Sequence, residues 1–93
     1  MAITVELPAA LRPYARGERL MHLESPCPTL RDVLMAISDR CPGVVDRVLD
    51  ERGRIRQHVN VFVDEESVRF LGGLDAPVSD QSTVFIVPAV SGG

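Results

Sequence analysis

The chain closes on "VFIVPAVSGG", and Gly92 and Gly93 are the residues best suited to do chemistry. At an average glycine usage of about 7%, two in this place arise by chance in roughly one chain in two hundred. Glycine lacks Cβ, so it enters narrow clefts and takes backbone angles closed to other residues. Beyond Pro88 the stretch Ala89-Val90-Ser91-Gly92-Gly93 could span roughly 16 Å if extended, and its side chains shrink toward the end. That shape is expected to deliver a terminal carboxylate into another protein's active site. A free carboxylate is a poor electrophile, but ATP can convert it to an acyl-adenylate. An amine displacing AMP would leave an amide conjugate. Sulfide or persulfide sulfur would leave a thiocarboxylate on Gly93, more acidic than a thiol, and so anionic and nucleophilic near neutral pH.

The other reactive residue types form no comparable arrangement. Cys27 and Cys41 each adjoin proline, and their spacing matches no zinc pattern. Cys27, in "SPCPT", could be a reactive thiol before a helix N-terminus; the flanking prolines favour a rigid loop residue. Cys41 continues an apolar helical stripe and is expected in the core. Nothing suggests secretion, so the thiols are expected unpaired rather than in a structural disulfide. His22 and His58 have no acid, serine or cysteine at a telling spacing, so neither a triad nor a metal site is expected, and no intrinsic catalysis. "RGRIRQH" groups Arg52, Arg54 and Arg56, a basic cluster that could meet an acidic partner or simply be solvated. "DEE" at 64–66 reads as turn chemistry. The internal Gly72-Gly73 reads as a bend, since cutting there would remove the last strand.

Composition narrows the partners. Thirteen acids oppose ten bases, a net charge of −3, which argues against nucleic acid, whose phosphates need a basic face. Every base is arginine, so the chain has no lysine ε-amine for acylation or Schiff-base chemistry. Apolar residues make up 45% and aromatics 4%, with no tryptophan, so one aliphatic core in one domain is expected. "MAITVELPAA" alternates and does not resemble a signal peptide, and no apolar run approaches membrane-spanning length. A cytoplasmic protein, monomeric when alone, is expected.

These residues need elements to position them. In "AITVELP", Ile3, Val5 and Leu7 alternate with polar neighbours, the mark of a half-buried strand. "RLMHLES" is a second strand, with Met21 and Leu23 inward, joined to the first as a loose hairpin. The period then changes. Leu30, Val33, Leu34, Ile37 and Cys41 make a helical stripe, opened by a Thr29/Asp32 capping pattern and expected to stop at Pro42-Gly43. "VVDRVLDERG" is a short helical turn. "HVNVFV" places Val59, Val61 and Val63 on one face; "SVRFL" is expected to return antiparallel with Val68 and Phe70 inward. "TVFIVP" puts Val84 and Ile86 inside and Phe85 and Val87 outside. Helix on one sheet face makes a two-layer α+β domain over 1–88, with a flexible tail over 89–93. The uncovered face should carry Phe62, Phe85 and Val87 as an apolar docking patch.

Over its whole length the chain resembles the small ubiquitin-like sulfur carriers of β-grasp fold. Their general pattern is a turn between two strands, a proline near the end of the last strand, and Gly-Gly. The block "VNVFVDEESVRFLGGLDAPVSDQSTVFIVPAVSGG" most resembles the branch serving a thiocarboxylate-dependent cysteine pathway, through its "VRF", "GGL" and "PAV" elements. Ser91 stands where alanine is expected in that branch. The resemblance implies a mixed sheet of four to five strands with one main helix. It implies that Gly93 bears the sulfur, that Ala89, Val90, Ser91 and Gly92 occupy a partner's channel, and that the protein is a cosubstrate and no enzyme, binding no cofactor. The partners it implies begin with an ATP-using adenylating enzyme of the ubiquitin-activating type. A sulfur-accepting enzyme follows, either a pyridoxal-phosphate cysteine synthase using O-phosphoserine or a natural-product synthase, for example in thiosugar formation. A metalloprotease would release the product. The small subunit of molybdopterin synthase and a ubiquitin-like modifier are the alternatives.

Overall fold

Backbone alternation and helical periodicity resolve into seven elements in the computed structural model, which describes residues 2–24 and 26–88. In chain order they are β1 (Ile3–Glu6), β2 (Leu20–Leu23), α1 (Leu30–Arg40), α2 (Pro42–Val48), β3 (Val59–Val63), β4 (Glu66–Ser67) and β5 (Thr83–Pro88). Short 3-10 turns at Ala9–Ala15, Val68–Phe70 and Gly73–Asp75 complete the connections. The five strands form one mixed sheet in the order β2-β1-β5-β3-β4. β1 pairs antiparallel with β2 and parallel with β5, and β3 pairs antiparallel with β5 and β4. The expected residues 89–93, with Gly92 and Gly93, lie outside the described part.

Both helices cover one face of this sheet. The α1 residues Val33, Leu34 and Ile37 are buried, as are Val44 and Val48 of α2. They meet Ile3, Val5, Val61, Val84 and Ile86 from alternate strand positions. The core is aliphatic, as the composition requires: Tyr14, Phe62, Phe70 and Phe85, the only aromatic residues, all lie outside it.

Local chemistry fixes the start of α1. Thr29 and Asp32 form a capping box, the Thr29 amide donating to Asp32 Oδ2 at 3.1 Å and the Asp32 amide to Thr29 Oγ1 at 3.4 Å. The 76–78 segment is tied alongside: the Leu30 amide donates to the Ala76 carbonyl at 3.0 Å, and the Val78 amide to the Pro28 carbonyl at 2.9 Å. The long approach to β5 is thereby anchored on the helix.

Three expectations need correction. Pro42-Gly43 ends α1 but also begins α2, because proline at the first helical position gives up an amide that has no intrahelical partner there. Cys41, the junction residue, is half-buried against the core rather than inside it. "SVRFL" does not continue as a strand. Only Glu66 and Ser67 pair with β3, and the chain then winds into a 3-10 turn. The turn aims Val68 inward and leaves Phe70 85% exposed, because two residues along a threefold turn do not return to the same side.

The capping box and the helix stripe predict separate stability losses. Thr29→Ala should lower the unfolding free energy by about 1 kcal/mol and Thr29→Ser by much less. Ile37→Ala should cost about 2–5 kcal/mol. Urea unfolding checks both; equal losses for the alanine and serine variants at position 29 would contradict the cap.

Candidate functional site

The outer face of the sheet is built by the strand registers. Phe62 of β3 lies directly across from Phe85 of β5, and Phe85 lies beside Glu6 of β1. Val87 pairs with Asn60 one step further along. Neither helix covers this side, so Phe62 and Phe85 are half-buried only by each other and their neighbours, and Val87 is 39% exposed. Phe62, Phe85 and Val87 therefore come together where the alternation of "HVNVFV" and "TVFIVP" placed them. Cross-strand aromatic pairs of this kind also stabilise the sheet.

β5 itself is held from both sides, and its beginning is fixed by a polar knot. Asp64 adopts a left-handed backbone, φ 55°, in the turn after β3. Its carboxylate accepts from the Thr83 amide at 3.0 Å and from Ser82 Oγ at 3.2 Å. Ser82 is buried and also donates or accepts with Ser79 Oγ at 2.9 Å. From this anchor β5 runs between β1 and β3 to Pro88, which pairs with Val59. The residues expected to carry the chemistry, Ala89, Val90, Ser91, Gly92 and Gly93, follow and lie outside the described part.

Beside Pro88, on the helix side, lies a groove of about 390 Å³ that the sequence does not announce. Tyr14, Arg47, Arg56 and His58 form its walls. Arg47 places its guanidinium carbon 4.6 Å from the Tyr14 ring centroid and donates from Nη2 to Tyr14 Oη at 2.7 Å. Arg56 donates to the Asp46 carbonyl at 3.1 Å. A Cβ on Gly43 would come within 3.0 Å of Tyr14 Cδ1, so the bare glycine is what lets the ring pack on α2. Tyr14, Arg47 and Arg56 come from three different segments, and no spacing in the chain could have joined them. Two permanent cations thus stand near the base of the C-terminal stretch.

The remaining candidates separate. Cys27 and Cys41 are not joined by a disulfide. Cys27 is buried, and burial first, then the nearby Asp32 carboxylate, pushes its thiol pKa up; a raised thiol is a poor nucleophile. Its role is packing in the core. His22 lies 3.4 Å from Thr4 Oγ1 on the sheet surface, far in the fold from His58 by the groove. Among the described residues no group of three His, Cys, Asp or Glu side chains could hold a metal, and no helix is long and apolar enough to cross a membrane. Arg54 and Arg56 of the basic cluster line a second groove; Arg52 does not.

Comparison with known proteins places this geometry. The ThiS family model matches residues 5–93. The chain is 35% identical to the sulfur carrier protein CysO of Mycobacterium tuberculosis over 95 residues, covering both chains completely. A chain in the crystal structure of the Amycolatopsis orientalis BexX/CysO complex superposes with a TM-score of 0.87 at 37% identity, covering 99% of this chain and all of that one. A third relative, small archaeal modifier protein 3 of Haloferax volcanii, is 31% identical over 65 residues, 70% of each chain. The sheet order and its one-sided helical cover are the β-grasp fold of the CysO structures.

Two measurements test this local chemistry. Tyr14 is the only tyrosine in a chain without tryptophan, so it reports on its own packing: Gly43→Ala should change its fluorescence, because the added methyl displaces the ring. An unchanged spectrum would contradict the contact. Cys27 should resist alkylation by iodoacetamide at pH 8 in the native state and react on unfolding; rapid native labelling would contradict its burial.

Proposed function

We propose that this chain, which belongs to the ThiS family, is a sulfur carrier whose terminal carboxyl at Gly93 is the reactive group. The reaction balances in two steps. The Gly93 carboxylate attacks the α-phosphorus of ATP, forming an acyl-adenylate and releasing pyrophosphate. Sulfide, or sulfur passed as persulfide with a reductant to free it, then attacks the carbonyl and displaces AMP, leaving a thiocarboxylate. The chain supplies no catalytic side chain in either step. An adenylating partner of the ubiquitin-activating type brings ATP and the groups that bind its phosphates, and this chain brings the carboxyl group and a surface to hold it by.

The observation that carries this reading is the match over the whole chain to proteins named sulfur carriers, in a fold whose central strand β5 runs to Pro88, directly before the proposed reactive stretch. The fold divides the labour accordingly. Residues up to Pro88 form the grip, and Ala89, Val90, Ser91 and Gly92 form a slim lead to Gly93 that fits a partner's channel. Phe62, Phe85 and Val87 offer the apolar docking area, with Phe70 as a further exposed aromatic available to a partner. The sulfur passes on to a cysteine synthase or to a natural-product synthase such as one forming a thiosugar, and in the cysteine branch a metalloprotease frees the product. The protein works in the cytoplasm.

A second reading has its own support in the identity to the archaeal modifier. There the same activated Gly93 would meet a lysine ε-amine and form an amide. The two readings share the adenylate and differ only in the nucleophile that displaces AMP.

Intact mass of the protein from its native host decides between them. Sulfur carriage predicts a fraction in which one oxygen is replaced by one sulfur, localised to the peptide containing Gly93. Amide adducts on target lysines with no sulfur-bearing fraction would overturn sulfur carriage in favour of modification. On the docking face, Phe62→Thr with Phe85→Thr should slow sulfur loading roughly tenfold or more while the protein stays folded by circular dichroism. An unchanged loading rate would remove the patch from the interface.

A further inference from the structure

The geometry points to a second recognition site: an arginine-lined groove that binds an acidic peptide segment of a partner protein. Four of the chain's ten arginines, Arg31, Arg54, Arg56 and Arg69, line one groove of about 490 Å³. They arrive from three separated places, the first turn of α1, the loop between α2 and β3, and the 3-10 turn after β4. The one acid among the lining residues is Asp75. In a protein of net charge −3, this is a local reversal of sign. The groove is open to solvent beside the helical layer, because its β3 neighbours Val59 and Val61 face inward, whereas Phe62 looks out from the opposite face.

The positive charge there is little compensated. Among the described residues the ion pairs are Arg19–Glu6 at 3.2 Å and Arg31–Asp75 at 3.4 Å, and neither involves Arg54, Arg56 or Arg69. Arg56 and Arg69 donate instead to the neutral carbonyls of Asp46 and Gln57, at 3.1 and 3.4 Å. Asp50 offsets part of the charge of Arg54 and Arg56, while its Oδ1 accepts from the Arg52 and Arg54 amides at 2.9 and 3.0 Å. Those bonds, with the Leu49–Ile55 bridge and the Arg56 amide donating to the Val48 carbonyl at 2.9 Å, fix the loop that presents both arginines. The backbone that presents Arg54 and Arg56 is therefore held, which spares a ligand the cost of ordering that loop.

The wall and floor identify the occupant. The half-buried side chains of Ile55 and Leu74 contribute apolar surface between the guanidinium groups. A ligand that satisfies both carries several carboxylates around an apolar side chain, which is an acidic peptide. Arginine's planar fork suits carboxylate pairing. A compact phosphate would meet the charges and leave the apolar surface unused.

The test uses the unloaded full-length chain, so it stands whether or not Gly93 carries sulfur. A fluorescein-labelled peptide of aspartates and glutamates around one central leucine is titrated by anisotropy, beside a peptide with asparagine and glutamine in place of the acids. The acidic peptide should bind and shift the amide resonances of Ile55, Gly73 and Leu74. Binding should weaken steeply as salt rises from about 50 to about 300 mM. Arg54→Gln with Arg69→Gln should weaken it roughly tenfold or more, whereas Arg19→Gln, on the far side of the sheet, should change it by less than about twofold. Equal binding of the neutral peptide, no loss in the double variant, the same loss in Arg19→Gln, or groove shifts produced only by tripolyphosphate would each overturn the proposal.

Discussion

β5 is hydrogen-bonded along both edges, parallel to β1 and antiparallel to β3, and the rest of the molecule follows from that placement. A strand in mid-sheet cannot shift register without breaking two ladders and turning Val84 and Ile86 out of the core. Its entry is pinned by Asp64 through Thr83 and Ser82, and the segment before it is stitched to the capped start of α1. The C-terminal end of β5 at Pro88 is therefore held in place by its pairing with Val59. The proposed handle requires a root that does not wander, and ordinary backbone bonding supplies one at Pro88.

The aromatic residues tell a complementary story. Large rings are normally the most effective way to bury apolar area, yet here Val, Leu, Ile and Met21 fill the interior. Phe62 and Phe85 pair on the open face, Tyr14 packs against Arg47 beside the base of β5's C-terminal end, and Phe70 stands in solvent. The core is sufficient without them, so the surface holds the residues with the greatest capacity for contact. Arginine is distributed in a similar way. With no lysine in the chain, every cation has the planar geometry suited to specific pairing, and four converge on one groove.

Much of this was legible in the sequence wherever a period runs through one element. The alternation in "AITVELP", "HVNVFV" and "TVFIVP" gave the inward and outward faces, including the Phe62–Phe85 meeting, and the Thr29/Asp32 spacing gave the helix start. Phe70 escapes the strand alternation because its segment winds as a 3-10 turn. Pro42 signals a stop by its local sequence, yet the residue that cannot continue one helix is well suited to begin the next. The two grooves were illegible for a different reason. Tyr14 with Arg47, and Arg31 with Arg54 and Arg69, are assembled by folding from distant segments, and nothing local encodes such encounters. The reading of Gly92 and Gly93 rests on residue chemistry and family membership, since those residues lie outside the described part.

Adenylation measures most directly the proposed division between a folded grip and a terminal group that reacts elsewhere. The purified chain is mixed with the adenylating enzyme of its own source and ATP, and exchange of labelled pyrophosphate into ATP is followed. Exchange should require the chain and vanish when Gly93 is deleted, with the melting temperature of the shortened protein unchanged. Undiminished exchange after that deletion, or none with the intact chain, would contradict it.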